Sequence, residues 1–401
     1  MNVGYYFHLP GTFESDGSVR VPAWHADVLS GLAEACGTIT YFAHHVAPSG
    51  TADRTIGPPS VLPVDVGPRR RAPAMSVNPT PTLRRIEPHL ASLDALLVRG
   101  PTALLPSLVR YATRVPVVAI VMADYTNWRS DGSQPAWRAA LIKGWIALYN
   151  RQQARSLSRI PVLTVGRALA DKLAAQGLTV ETVFPSTIRE GDVLSAEDAS
   201  SWRWDETAGR DRPVRLLYSG RLVTEKGIFD AADAVAELKR RGWSAALDLA
   251  GWWLDEATER RFWQRTEALG LAADVRCLGA IPPGPALAAT YRSADIYVHP
   301  TRNEASVAQS LNEAMALHVP TVTTRIRENE AELVDGVNTV LVEPRSPVAL
   351  ADGIESLLRD RVRVADIARG GWEWARGRTL ERSCALIADH IRRCVKERAT
   401  T

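Results

Sequence analysis

Short, continuously apolar runs alternate with helix-length stretches along this chain, and the alternation stops and restarts once. A run such as VVAIVM is apolar on both sides of an extended chain, so a strand made from it must be covered on both faces. Helices between parallel strands do that, which makes the expected fold class α/β with doubly wound sheets. In the first half the pattern predicts strands over 3–7, 38–42, 95–98, 117–122, 161–165 and 180–184. Helices are expected over 22–35, 107–113, 137–157 and 167–176. In the second half strands are expected over 215–218, 246–250, 275–278, 295–299, 321–324 and 339–342. Helices fill 229–241, 255–269, 285–293, 307–317 and 347–359, and the tail 379–398 is helical by pattern.

Two segments interrupt the rhythm. Residues 48–81 are rich in Pro, Gly and Arg, and 188–213 are polar and read as a linker. The expected organisation is therefore a Rossmann-like domain over 1–187, a linker over 188–213, a second Rossmann-like domain over 214–375 and a helix within 376–401.

The composition excludes several classes. A net charge of +3 on 401 residues gives no bulk electrostatic reason to bind nucleic acid. Cys36, Cys277, Cys384 and Cys394 are scattered with no Cys-x-x-Cys pair, so neither a disulfide framework nor a zinc site is expected, and a reducing cytoplasmic setting fits. The start, MNVGYYFHLPG, has no signal-peptide pattern, and no apolar run approaches the roughly 20 residues of a membrane span. The expectation is a soluble chain or one peripheral at a membrane.

Two stretches concentrate chemistry. In LLYSGRLVTEKG, 216–227, a strand runs into Gly220 and then sets Arg221 and Lys226 five residues apart before Gly227. Strand ends in a parallel sheet face the ligand crevice, and two cations there can hold a diphosphate and stabilise a departing phosphate. In HPTRNEASVAQSLNEAMALHVPTVTT, 299–324, a strand end is followed by Glu304 in a loop and Glu313 on a helix. The small residues Ala305, Ser306 and Ala308, with Val307 between them, let a ligand approach the helix start, whose free N–H groups suit an anion. A carboxylate on that helix can accept both hydroxyls of a ribose.

Taken in order, these motifs resemble glycosyltransferase family four, retaining enzymes of the GT-B architecture. The match also takes in LDLAG, VRCLGAI, ATYRSADIYVHPT, NEAMALHVPTVTT and AELVDGVNTVLVEP. The resemblance implies two Rossmann-like domains facing a cleft, acceptor on the first and donor on the second, with the final helix packed back on the first. It implies a nucleoside-diphosphate sugar as donor and a sugar, lipid-linked or small-molecule acceptor. Arg221 and Lys226 would bind the diphosphate, Glu313 the ribose, Glu304 the donor sugar, and the segment around Arg276 the base. No nucleic-acid partner and no metal cofactor are expected; no Asp-x-Asp pair is present. The chain departs from the family pattern in four places. Eight residues, not seven, separate Glu304 from Glu313; Ala305–Ala308 replace a glycine-rich loop; a Gly-Gly pair is replaced near Glu328-Asn329; and Thr339 stands where a glycine often follows the asparagine. A nucleotide-sugar epimerase, a pseudo-glycosyltransferase and a catalytically dead binding protein are the alternatives.

The first half matches by arrangement only. GTFESDG, 11–17, occupies the place of the acceptor loop. His25, Arg99 and Asp124 are the acceptor-side candidates, with a core role for His25 the plainer reading. The run Arg69-Arg70-Arg71 reads as a solvated loop, with an anionic acceptor or a lipid surface as the alternative. On 137–157, Trp137, Leu141, Trp145 and Leu148 form a stripe among Arg138, Lys143, Arg151 and Arg155. The expected role of the stripe is to cover a sheet, and peripheral membrane contact is the alternative.

Overall fold

The computed structural model describes residues 1–46, 53–123 and 136–400, so Asp124 lies outside the described residues. They divide into two compact units, Met1–Thr187 with Leu380–Thr401, and Ile188–Thr379.

The strands of the first unit are β1 (Asn2–Phe13), β2 (Val19–Pro22), β3 (Thr38–His45), β4 (Asp53–Ile56), β5 (Val61–Pro68), β6 (Ala95–Gly100), β7 (Val117–Val121), β8 (Val162–Val165) and β9 (Val180–Val183). Seven of them pair in parallel, in the order β5-β3-β1-β6-β7-β8-β9. The antiparallel pair β2-β4 extends from the end of β1. The direction of winding reverses at β1, whose successor β3 lies on one side and β6 on the other. Apolar runs such as VVAIV in β7 are buried at every position, as strands covered on both faces must be.

The Pro-rich segment 48–81 conceals β4, β5 and the start of the helix Thr80–Leu90. Pro63 and Pro68 disguise β5, yet among the described residues β5 is an edge strand paired with β3 alone, where a missing N–H is tolerated. The tail belongs to this unit. In the helix Leu380–Thr400, Leu380, Cys384, Ile387 and Ile391 are buried in the core of the first unit. That helix lies so close to the helix Ala23–Cys36 that a Cβ added to Gly31 would stand 2.9 Å from Cys384 Sγ. The Ser383 hydroxyl donates to the Phe184 carbonyl at 2.5 Å.

The helix Ala136–Leu157 corrects one expectation. Tyr149, Gln153 and Leu157 turn inward, whereas Trp137, Leu141 and Leu148 are exposed. The aromatic stripe is thus offset from the face that covers the protein, and only Trp145 joins the packing, stacked on Tyr149 at 5.3 Å.

The second unit holds β10 (Val214–Leu222), β11 (Ala245–Trp253), β12 (Val275–Gly279), β13 (Ile296–His299), β14 (Thr321–Thr324) and β15 (Val340–Val342). All are parallel, in the order β12-β11-β10-β13-β14-β15, so the switch point lies between β10 and β13. Segment 188–213 differs from the expected linker. It contains the helix Ala196–Ser201, buries Ile188, and packs Trp202 and Trp204 against the core of the second unit. Its many polar residues masked two aromatic anchors.

Candidate active site

The loops that leave β10 and β13 flank the switch point, and ligands of open α/β sheets bind at such points. After β10 the chain turns at Gly220, whose φ of +139° favours glycine. The Tyr218 hydroxyl donates to the Arg221 carbonyl at 2.9 Å and fixes the turn. A single 3-10 turn, Thr224–Lys226, then meets Gly227, which has a left-handed φ of +72° and precedes the helix Ile228–Arg240. A Cβ on Gly227 would lie 1.9 Å from the Pro300 carbonyl oxygen, so the two loops touch backbone to backbone. Arg302 adds a second tie. Its N–H donates to the Glu225 carbonyl at 2.8 Å and its guanidinium pairs with Asp230 at 3.0 Å.

Lys226 and Glu304, singled out from sequence, are brought together. Lys226 Nζ is ion-paired with Glu304 Oε1, and both side chains are largely buried. His299 Nε2 is 2.9 Å from the same oxygen and is almost wholly buried. Burial alone would push the Glu304 carboxyl up. The His299 hydrogen bond and charge, then Lys226, outweigh it and lower the group from the usual 4.5 to about 2. His299 is itself held in place, stacked on Tyr218 at 5.7 Å and 4°, with Nδ1 3.4 Å from the Tyr297 hydroxyl.

Glu313 lies on the helix Gln309–Ala316 and accepts a 2.7 Å hydrogen bond from Tyr291. Ala308 is the N-cap of that helix and offers no side-chain cap. Ser306 is half-buried and Val307 buried just before it, so the helix start follows directly on the Glu304 loop. Arg221 is exposed, with no ion pair among the described residues. Where the family pattern has its glycine pair, Asn329 is buried and donates to Thr323 Oγ1 at 3.1 Å and to the Thr324 carbonyl at 2.9 Å, bracing the end of β14.

The Arg276 side chain does not join this group. It projects from the edge strand β12, largely exposed, and pairs with Asp248 at 2.8 Å, three residues before β11 reaches Gly251. In the first unit, His25 is fully buried, 3.1 Å from the Tyr41 hydroxyl and packed against Phe7, Trp24 and Tyr5. Burial, then the Arg99 charge, lowers it to about 3, so it is neutral and enclosed, not an exposed base. Arg99 sits at the end of β6 with its guanidinium 4.9 Å from the Phe7 ring centre and 5.2 Å from that of Trp24.

His299, Arg302, Asp230 and Tyr291 escaped the sequence reading as functional residues. His299 had a signal: it is the last residue of a strand that ends at a proline. The Arg302–Asp230 pair spans 72 residues and had none. Among the described residues, no group of three or more His, Cys, Asp or Glu could hold a metal ion, and no helix is long and apolar enough to cross a membrane.

Residues 200–373 match the model of the family described as glycosyl transferases group 1. A glycogen synthase of Mycobacterium tuberculosis is 26% identical over 248 residues, which is 60% of this chain and 57% of that protein. The chain thus spans little more than half the length of that relative. Among solved structures, sucrose-phosphate synthase of Thermosynechococcus elongatus superimposes with a TM-score of 0.73 at 15% identity, over 100% of this chain and 99% of that one. HepE of Anabaena, solved with UDP and glucose, gives 0.66 at 16% identity over 97% and 98%.

Proposed function

We propose that this chain, a GT-B protein whose residues 200–373 match the group 1 glycosyl transferases, is a retaining glycosyltransferase that takes its sugar from a nucleoside-diphosphate donor. The observation that carries this reading is the meeting of Lys226, Glu304 and His299 at the switch point, one loop away from Glu313. The UDP bound by HepE makes such a donor chemically reasonable here.

In this reading Arg221 and Lys226 bind the diphosphate, and the first N–H groups of the helix Gln309–Ala316 add to them. Lys226 leaves Glu304 as the phosphate arrives, one anion exchanging for another. Glu313, oriented by Tyr291, accepts the ribose hydroxyls. Glu304, kept ionised by His299, then faces the donor sugar, where a fixed negative charge favours a carbon that becomes cationic as the phosphate leaves. The acceptor hydroxyl attacks from the face the phosphate vacates and gives its proton to that phosphate. No protein nucleophile is needed, and the anomeric configuration is kept. Two cations neutralise the leaving group, so no metal is required. The first unit holds the acceptor.

A thermal-shift panel of nucleoside diphosphates, followed by turnover with the matching sugar donors in excess chelator, tests the reading. Stabilisation by one diphosphate and transfer from its sugar are expected. No stabilisation by any of them, or transfer only with magnesium or manganese, would overturn the donor or the metal-free assignment respectively. Proton NMR of the first product from an α donor is expected to show an α linkage, and a β linkage would end the retaining mechanism.

A further inference from the structure

The first unit contains a cavity of ≈390 Å³ lined in part by His8, Arg69, Arg70, Arg71, Met75 and Thr102. That is within the range of small-molecule sites, roughly 300–1,000 Å³. It lies at the switch point of this sheet. β1 and β6 pair as far as Tyr6 and Val98; His8 follows on one strand, and Pro101, Thr102 and Ala103 follow on the other.

Three observations make this more than a solvated basic loop. The arginine run is anchored: buried His44 is 3.1 Å from the Tyr6 hydroxyl and, through its other nitrogen, 3.1 Å from the Gly67 carbonyl. Gly67 takes a φ of +97° that turns the chain just before Arg69. The cations therefore stand on a fixed backbone. Second, three arginines line one concavity in which no described lining residue carries a carboxylate. Like charges gathered in one concavity favour the entry of an anion. Third, the floor is apolar, because Met75 and Ala103 pack with Tyr149. His8 Nδ1 is buried there with no hydrogen-bond partner among the described residues.

We propose that this cavity binds a phosphate group on the acceptor, the arginines and His8 holding the phosphate and the apolar floor receiving the carbon skeleton next to it. Guanidinium forks match phosphate oxygens in pairs, which supplies orientation as well as affinity. The acceptor role rests on the glycosyltransferase reading, whereas the phosphate site rests on the cavity alone. The phosphate has two sources, a soluble phosphorylated polyol or a lipid headgroup.

Titration calorimetry on the full chain tests this with inositol 1-phosphate and glycerol 3-phosphate, each against its dephosphorylated form. Flotation with phosphatidylcholine vesicles, with and without phosphatidylinositol, covers the lipid source. Binding of a phosphorylated probe, in solution or on vesicles, and not of its dephosphorylated partner is expected. Arg70→Gln is expected to weaken it about tenfold, the loss of one charge-assisted hydrogen bond, and the double substitution Arg69→Gln/Arg71→Gln by more. Thermal melts confirm that each variant is folded; the double substitution alters only exposed residues and serves if Arg70→Gln does not fold. Binding of nucleoside diphosphates should be unchanged in all variants. Failure of every phosphorylated probe to bind, or equal affinity in the wild type and folded variants, would overturn the site. Phosphate-probe binding by a wild-type chain that binds no nucleoside diphosphate would overturn the donor reading, and the acceptor role with it.

Discussion

Glu304 is under opposing influences: burial favours its neutral form, while His299 and Lys226 favour the charged form and prevail. A carboxyl held at about 2, against the usual 4.5, stabilises the folded chain above pH 4.5 and loses that contribution as pH falls toward 2. Glu304→Gln is therefore expected to flatten the acid limb of a melting-temperature profile between those values. A limb of unchanged steepness would mean that the carboxylate is not coupled to its cations. Glu313 accepts a hydrogen bond from the Tyr291 phenol. Glu313→Ala should raise the Michaelis constant more for a ribonucleotide donor than for its 2′-deoxy analogue. Equal losses would remove the ribose role. Of these residues, the two glutamates and Lys226 were legible because they stand at strand ends and helix starts in recognisable order. His299 was marked only by its place at the end of a strand that meets a proline, which does not reveal its partner, a loop carboxylate five residues on.

The loops of β10 and β13 act as one element because Gly227 lets the Pro300 carbonyl sit where a side chain would be. Gly227→Ala meets both a left-handed backbone and a 1.9 Å contact. It is expected to cost at least roughly 1–3 kcal/mol in chemical denaturation and to reduce nucleotide binding. Gly17→Ala, also at positive φ but with nothing within 4 Å, isolates the backbone term and should be milder. Equal losses in the two variants would refute the contact. At this scale the sequence patterns located most strands and helices, since apolar runs and periodicity depend on neighbouring residues alone. They missed β5, whose prolines are harmless at a sheet edge, and the packed segment 188–213, whose tryptophans are outnumbered by polar residues. They also misjudged the outer face of Ala136–Leu157, because a stripe of apolar residues does not say which side meets the protein.

Each unit carries one sheet built on a run of parallel strands with one switch point, and basic side chains stand at each switch point. The tail completes the first unit, so damage there should stay local. Ile391→Ala, at a fully buried position, is expected to destabilise the first unit by roughly 2–5 kcal/mol. Hydrogen exchange should report this in β1, β3 and the helix Ala23–Cys36, not in β10 or β13. Equal loss of protection in both units would show that they unfold together. The central claim, that Lys226 passes from Glu304 to a diphosphate at the second switch point, is tested most directly by the dissociation constant of the nucleoside diphosphate that most stabilises the wild type, measured by calorimetry for the wild type and for folded Lys226→Ala. The account predicts an increase of about tenfold or more, from losing a charge-assisted contact to the phosphates. An unchanged constant would contradict it.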